Sequence, residues 1–394
     1  MEPEDQVVGH GAQPSRRPGP VTLAGNRVAL LHDGAQCLPA MLDAIASAKH
    51  EILLEMYWFG SDRTGRRFAE ALADKARGGV RVCVIYDSIG SIEAEESMFD
   101  SMRAAGCRVH EYNPVAPWRS RFRIGVVHRR DHRKILIVDG RVAMTGGVNL
   151  GDPWAPEDEG GQGWRDDMIR IEGPAAPSMR ELFLNTWRRV GEQGPGSATS
   201  GELQSQPHSA IRGPSPVQVL ANHGPARRVI RQAYLTELSA ARKTAYIANS
   251  YFVPDRIVRR ALSKAAQRGV DVRVLVPGIS DVPAVYYAGR KLYSWLMSRG
   301  IRLYEWQNTI LHAKTAAIDD RWATVGTYNL DYVSWRFNLE VNVAVHDPTV
   351  ARALRTRIEQ DCAQSLEIKP EQWRFRPPAE RLLEQFFYLF RKIL

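Results

Sequence analysis

At 394 residues, 44% hydrophobic and 25% charged, the chain can bury a sizeable core in one large or two medium domains, as an ordinary soluble globular protein does. A formal net charge of +9 points to partners that carry phosphate, without choosing among lipid headgroups, nucleic acid and phosphorylated metabolites. No apolar run is long enough to cross a bilayer, and Cys37, Cys83, Cys107 and Cys362 lack CxxC spacing, so they read as reduced core thiols rather than zinc ligands or disulfides.

Residues 1–24 are acidic, then rich in Pro, Gly and Arg, and predict a disordered tail. A first unit over 25–190 opens on an amphipathic helix pattern (Leu38, Met41, Leu42, Ile45) and a strand over 51–57. Ser61 and Asp62 start a second helix that ends near Gly78 and Gly79, and a buried strand follows over 80–87. A further helix ends at Gly106, before a short strand at 108–112. The acidic, Gly-rich residues 156–163 predict an exposed loop, and 191–215 predict a flexible Gly/Ser/Pro linker. The second unit, 216–367, repeats the order: helix 229–240, strand 244–251, a helix opened by Pro254 and Asp255 and stopped at Gly269, then strand 270–277. A helix ending at Gly300 and a strand over 301–305 complete it. Residues 368–394 predict an amphipathic helical segment. Alternating strands and helices of this length imply an α/β fold with largely parallel strands.

The chemistry-bearing residues recur with the same shift of 180 positions. His132, Lys134 and Asp139 are followed by Gly147 and Asn149; His312, Lys314 and Asp319 are followed by Gly326 and Asn329. His and Lys two residues apart on a strand share one face. A phosphodiester under attack needs cations and donors, which Lys134, Lys314, Asn149 and Asn329 supply. One imidazole can attack phosphorus while the other protonates the leaving alcohol. Each His needs a carboxylate to orient it, and Asp166 and Glu340, 34 and 28 residues after their histidines, are the candidates. The sets then read His132/Lys134/Asn149/Asp166 and His312/Lys314/Asn329/Glu340, facing one phosphate. Asp139 and Asp319, at the far strand ends, are expected to close turns or salt bridges. No HExxH, His/Cys cluster or Walker-type loop is present, and arginines surround the first motif, so neither metal nor cofactor is expected.

These residues resemble the phospholipase D superfamily, whose signature is a duplicated HxKxxxxD. Thr145 to Leu150 and the stretch from Trp164 to Gly173 are similar more narrowly to bacterial cardiolipin synthases, and the likeness runs over about residues 25–394. The resemblance implies two α/β/α sandwich halves, each a mostly parallel mixed sheet, packed about a pseudo-two-fold around one active site. It implies transfer of a phosphatidyl group to the hydroxyl of a phosphatidylglycerol-like lipid, without metal, with His132 as nucleophile and His312 as acid/base. Longer cardiolipin synthases begin with transmembrane helices that this sequence does not show, so it looks like a short form. A hydrolase or nuclease of the superfamily is the alternative; an inactive membrane-binding scaffold is a third reading. Nucleic acid ranks behind lipid because simple superfamily nucleases carry one motif per chain.

Membrane contact is expected from Trp118, Arg119, Arg121 and Arg123, where aromatic and basic residues alternate just before the first motif. At the C-terminus Leu382, Leu383, Phe386, Phe387, Phe390 and Leu394 fall largely on one helical side, which suits packing on the protein core or an interfacial helix. With both motifs in one chain, the expectation is a monomer in the cytoplasm, held peripherally at the inner face of the membrane by anionic lipid.

Overall fold

In the computed structural model, which describes residues 19–116, 128–191, 215–223 and 228–394, the two halves unroll in the same order. The first contains β1 (Val21–Leu23), β2 (Asn26–His32), α1 (Asp33–Ser47), β3 (Glu51–Met56), α2 (Arg63–Arg77), β4 (Arg81–Asp87), α3 (Glu96–Ala104), β5 (Arg108–Tyr112), β6 (Lys134–Val138), β7 (Val142–Gly146), β8 (Asp167–Glu172) and α4 (Ala176–Gly191). The second contains β9 (Val217–His223), α5 (Val229–Ala240), β10 (Thr244–Asn249), α6 (Arg256–Gln267), β11 (Asp271–Pro277), α7 (Pro283–Arg290), α8 (Tyr293–Met297), β12 (Arg302–Trp306), β13 (Lys314–Ile318), β14 (Trp322–Gly326), α9 (Tyr332–Arg336), β15 (Leu339–Val345), α10 (Pro348–Ala363), β16 (Leu366–Glu367), α11 (Pro370–Trp373) and α12 (Pro378–Leu389).

Local chemistry sets these boundaries. Asp62 caps α2 by accepting from the Gly65 amide at 2.9 Å, and Asp255 caps α6 through Ile257 and Val258. Gly79 and Gly269, at φ of +86° and +87°, then turn the chain out of those helices. Residues 21–24 do not form part of a disordered tail. Ala24 and Gly25 take positive φ and fold residues 21–23 back onto β2 as an edge strand, so these residues belong to the first half. Trp118, Arg119, Arg121 and Arg123, and residues 192–214 of the expected linker, lie outside the described residues.

Each half carries an eight-stranded mixed sheet, ordered β1-β2-β8-β7-β6-β3-β4-β5 and, read the same way, β9-β15-β14-β13-β10-β11-β12-β16. The expected parallel majority does not hold. Parallel pairing is confined to β3-β4-β5 and β10-β11-β12, where helices α2, α3, α6, α7 and α8 provide crossovers. The remaining pairings are antiparallel: the chain re-enters beside β3 or β10, and only β1–β2, β6–β7 and β13–β14 are joined by tight turns. The β6–β7 connection, residues 139–141, has positive φ at Asp139 and Gly140, and the β13–β14 connection, residues 319–321, at Asp319 and Asp320, as a turn of this hand requires.

Three apolar cores result. One lies under α1, α2 and α3 on the outer face of the first sheet, and one under α5, α6 and α7 on the outer face of the second. The third is shared, joining the inner faces of both sheets with α4 and α10. There β7 and β8 meet β14 and β15, which brings the starts of β6 and β13 together across the pseudo-two-fold.

Candidate active site

The segments before β6 and β13 each reach into the other half. The His132 amide donates to Leu339 O at 3.1 Å, and the Leu339 amide donates to Arg130 O at 2.9 Å. Related by the pseudo-symmetry, the His312 amide donates to Arg165 O at 2.7 Å and the Arg165 amide to Ile310 O at 2.9 Å. These short parallel bridges lay each histidine beside the strand start of the opposite half. The carboxylate pairing is therefore crossed: His132 Nδ1 lies 3.1 Å from both Glu340 oxygens, and His312 Nδ1 lies 2.8 Å from Asp166 Oδ2. The sequence had matched each histidine with the acid of its own half. Neither half completes its own pair.

The two acids are held differently. Asp166 accepts from Trp154 Nε1 at 2.9 Å and from the Asp167 amide at 2.8 Å. Its carboxylate occupies the space a side chain at Gly147 would need, since a Cβ there would sit 2.1 Å from Asp166 Oδ1. The position equivalent to Gly147 is Thr327, whose hydroxyl donates to Glu340 Oε2 at 2.5 Å. Gly326 has a separate reason to be glycine: a Cβ would lie 2.3 Å from Val341 O on the neighbouring β15.

Lys134 and Lys314 are fully buried, and each donates to the carbonyl of its own histidine, Lys134 to His132 O at 2.9 Å and Lys314 to His312 O. Lys314 also donates to Ser250 Oγ at 2.9 Å, whereas the equivalent residue Tyr57 places its ring 4.8 Å from Lys134 Nζ. Both asparagines commit their amide oxygen to the scaffold. Asn149 accepts from the Trp58 amide at 3.1 Å and Asn329 from Ser250 Oγ at 2.8 Å, leaving the NH2 group as the donor that can face a ligand. Asn149 makes one further, long contact from Nδ2 to Gly147 O at 3.4 Å.

Burial dominates the electrostatics. It holds both imidazoles well below their usual range, reinforced by the lysine charges. Burial and then Lys314 bring Lys134 down to about 7, and burial brings Lys314 down to about 8 against the pull of Asp166 and Asp281. Burial raises Asp166 to about 7 against Lys314 and the Trp154 hydrogen bond, and raises Glu340 to about 7 against Thr327 and Lys134. Each histidine feels the lysines of both halves, so the two motifs form one electrostatic unit. A phosphodiester anion among these groups favours the ammonium and imidazolium forms.

Sequence reasoning missed the aromatic walls. Trp154 and Trp164 stand 5.2 and 5.9 Å from the His312 ring, Tyr251 stands 6.4 Å from it, and Tyr57 lies edge-on to His132 at 4.8 Å. The residues 156–163 are largely exposed, as an acidic loop should be, yet the two tryptophans at its stems close over the second half's histidine. The signal was a pair of tryptophans flanking a polar insertion. Two buried arginines tie the halves beneath the site: Arg133 donates to Asn222 O and Glu340 O, and Arg165 bridges Asp167 and Asp361. Asp139 and Asp319 sit at the other strand end, about 17 Å along a five-residue strand. Each accepts three backbone amides, Lys49, His50 and Glu51 for Asp139 and Arg242, Lys243 and Thr244 for Asp319, which fastens the start of β3 or β10.

A family model described as "Cardiolipin synthase, PLD-like domain" matches residues 41–159 and 234–362. A cardiolipin synthase of Geobacillus thermodenitrificans is 33% identical over 378 residues, 95% of this chain and 74% of the relative. The chain belongs to the cardiolipin synthase family. Cardiolipin synthase 1 of Staphylococcus aureus is 33% identical over 94% of the chain and 74% of its own length. The fold is also that of a phosphatidylserine synthase from Haemophilus influenzae, at a TM-score of 0.71 and 15% identity over 93% of this chain and 95% of the other. The two segments matched by the cardiolipin synthase domain hold His132, Lys134, Asn149, His312, Lys314, Asn329 and Glu340, while Asp166 falls just past the first.

Proposed function

We propose that this chain transfers a phosphatidyl group from one phospholipid to the hydroxyl of a second, phosphatidylglycerol-like lipid, releasing glycerol and forming cardiolipin or a close relative. The observation that carries this is the crossed pairing: each Nδ1 is anchored on a carboxylate, so each Nε2 is left to act on a phosphate between the halves. His132 Nε2 attacks phosphorus, the bond to the leaving glycerol oxygen breaks, and His312 supplies the proton to that oxygen. The acceptor hydroxyl then gives its proton to His312 as its oxygen attacks phosphorus, and the phosphorus–nitrogen bond breaks to free His132. Lys134, Lys314, Asn149 and Asn329 offset charge on the non-bridging oxygens, and Glu340 and Asp166 hold the rings and stabilise each imidazolium. The order of roles follows the family resemblance, in which the N-terminal histidine attacks. We assign the work to a monomer acting peripherally on the inner membrane face, where anionic lipid supplies both substrate and attraction for a chain of net charge +9.

The test is incubation with labelled phosphatidylglycerol in a chelator. Cardiolipin with released glycerol is the expected product; phosphatidic acid alone would make the protein a hydrolase, and no lipid turnover would end the proposal. In His312→Ala the labelled phosphatidyl group should accumulate on His132, as read by acid-labile, base-stable label and peptide mapping.

A further inference from the structure

We infer that the outward face of α12 is a docking surface for an anionic phospholipid membrane. This rests on the lipid substrate proposed above and adds where the protein meets it.

A surface helix ordinarily turns its apolar stripe to the core and its charges to water. Helix α12 does the reverse along much of its length. Glu384 points inward and is fully buried, held by both nitrogens of the Arg376 fork at 2.9 and 2.7 Å. Arg290, the last residue of α7, reaches Glu380 at 2.6 Å and stacks over Trp373 at 4.6 Å, with Arg376 over the same ring at 4.5 Å. Phe387 and Tyr388 pack beside this ionic anchor on the second half's core. Leu382, Phe386 and Leu389, spaced by four and three residues, form the opposite stripe. Phe375, Leu382, Leu389 and Ile393 are 64–74% exposed, and Phe386, Leu383 and Phe390 are exposed beside them. The sequence pattern thus splits: Phe387 and Leu394 join the core, while most of the apolar row faces out. An ion cluster fixes the helix rigidly with its apolar side outward, an orientation that core packing does not explain.

Charge selects the occupant. Exposed Arg374, Arg381 and Lys392 lie in the same segment as the stripe, and apolar anchors with a basic flank match the acyl and headgroup layers of an anionic bilayer. Helix α7, packed against α12, links this surface to the active site. Helix α7, about 12 Å long, runs from the loop holding Asp281 to Arg290. Asp281 accepts from the Tyr251 hydroxyl at 2.6 Å, and Tyr251 lies against His312. Ile279 in the same loop is exposed, so an apolar residue also marks the rim on the α7 side.

The experiment is co-sedimentation of the full chain with sucrose-loaded vesicles of phosphatidylglycerol and phosphatidylcholine. The wild type should bind, and Leu382→Ser/Phe386→Ser/Leu389→Ser should bind about tenfold less or weaker still, with its melting temperature maintained. Equal binding by that variant overturns the inference, as does failure of the wild type to bind. A lipid-free wild-type dimer that the same substitutions dissociate would make the face a subunit contact and overturn it too. If the triple variant does not fold, Phe386→Cys carrying an environment-sensitive dye decides, since all four native cysteines are buried: a blue shift on vesicles is expected, and an unchanged spectrum refutes docking. Vesicle binding through these residues without phosphatidylglycerol turnover would leave the surface standing while the substrate assignment fell.

Discussion

The two motifs share one scaffold and differ in what surrounds them. His132 faces Tyr57 and is held by a glutamate that takes its hydrogen bond from Thr327. His312 sits among Trp154, Trp164 and Tyr251 and is held by an aspartate seated over Gly147. Duplication supplies two equivalent His-Lys strands; the crossing of the halves lets each ring be tuned by residues its own repeat does not contain. A single site with unequal histidines is what a two-step transfer needs, because attack and proton delivery ask different things of an imidazole.

The strongest break in that comparison is removal of either ring. His132→Ala and His312→Ala should each lower turnover of phosphatidylglycerol about ten-thousandfold, and the double variant should be little worse than either, because the rings act as a unit. Full additivity in the steady-state rates would mean two independent sites. Asp166→Asn and Glu340→Gln come next, with losses of several hundredfold, roughly, from a misheld ring. Substitution at the paired positions Gly147 and Thr327 then separates the halves. Gly147→Ala drives a methyl into the Asp166 carboxylate and should cost about a hundredfold, whereas Thr327→Ala removes the hydroxyl's hydrogen bonds to Glu340 and the Val341 amide and should cost about tenfold. Equal effects in kcat/KM would show that the asymmetry has no functional weight.

The smallest effect is on stability. Lys134 is lowered from 10.5 to about 7, so between those values the unfolded chain binds the proton that the folded one has lost, and this group's contribution to stability rises with pH across that window. Asp166 and Glu340, raised to about 7, act oppositely between about pH 4 and 7. Both imidazoles, held below their usual range, add stability as pH rises and offset the two carboxylates below about pH 6.5. Lys134→Met should therefore raise stability by about 1 kcal/mol at pH 7, with the gain shrinking toward pH 10. Melting temperatures across that range check it, and a gain that grows with pH would contradict it.

Much of this was legible before the structure. Asp62, Asp255, Gly79 and Gly269 mark helix ends by local rules, and the 180-residue shift pairs the elements of the halves. Strand direction was not legible, because a helix between strands announces a parallel crossover while a re-entry such as β5 to β6 leaves no local mark. The histidine partners were misassigned for the same reason: Glu340 and His132 are 208 residues apart, and only the packing of β7 and β8 on β14 and β15 brings them together. Helical periodicity also finds the apolar stripe of α12 equally well whether it faces in or out. That Glu384, not Leu382, points inward depends on Arg290 and Arg376.

Crossed pairing is the claim on which the shared site depends, and nitrogen-detected NMR of the histidine rings tests it most directly. Glu340→Gln should move the His132 ring resonances more than those of His312, and Asp166→Asn those of His312 more than those of His132, which feels the Asp166 charge without a hydrogen bond. If Glu340→Gln instead moves His312 more than His132, or Asp166→Asn moves His132 more than His312, each half holds its own pair and the account is wrong.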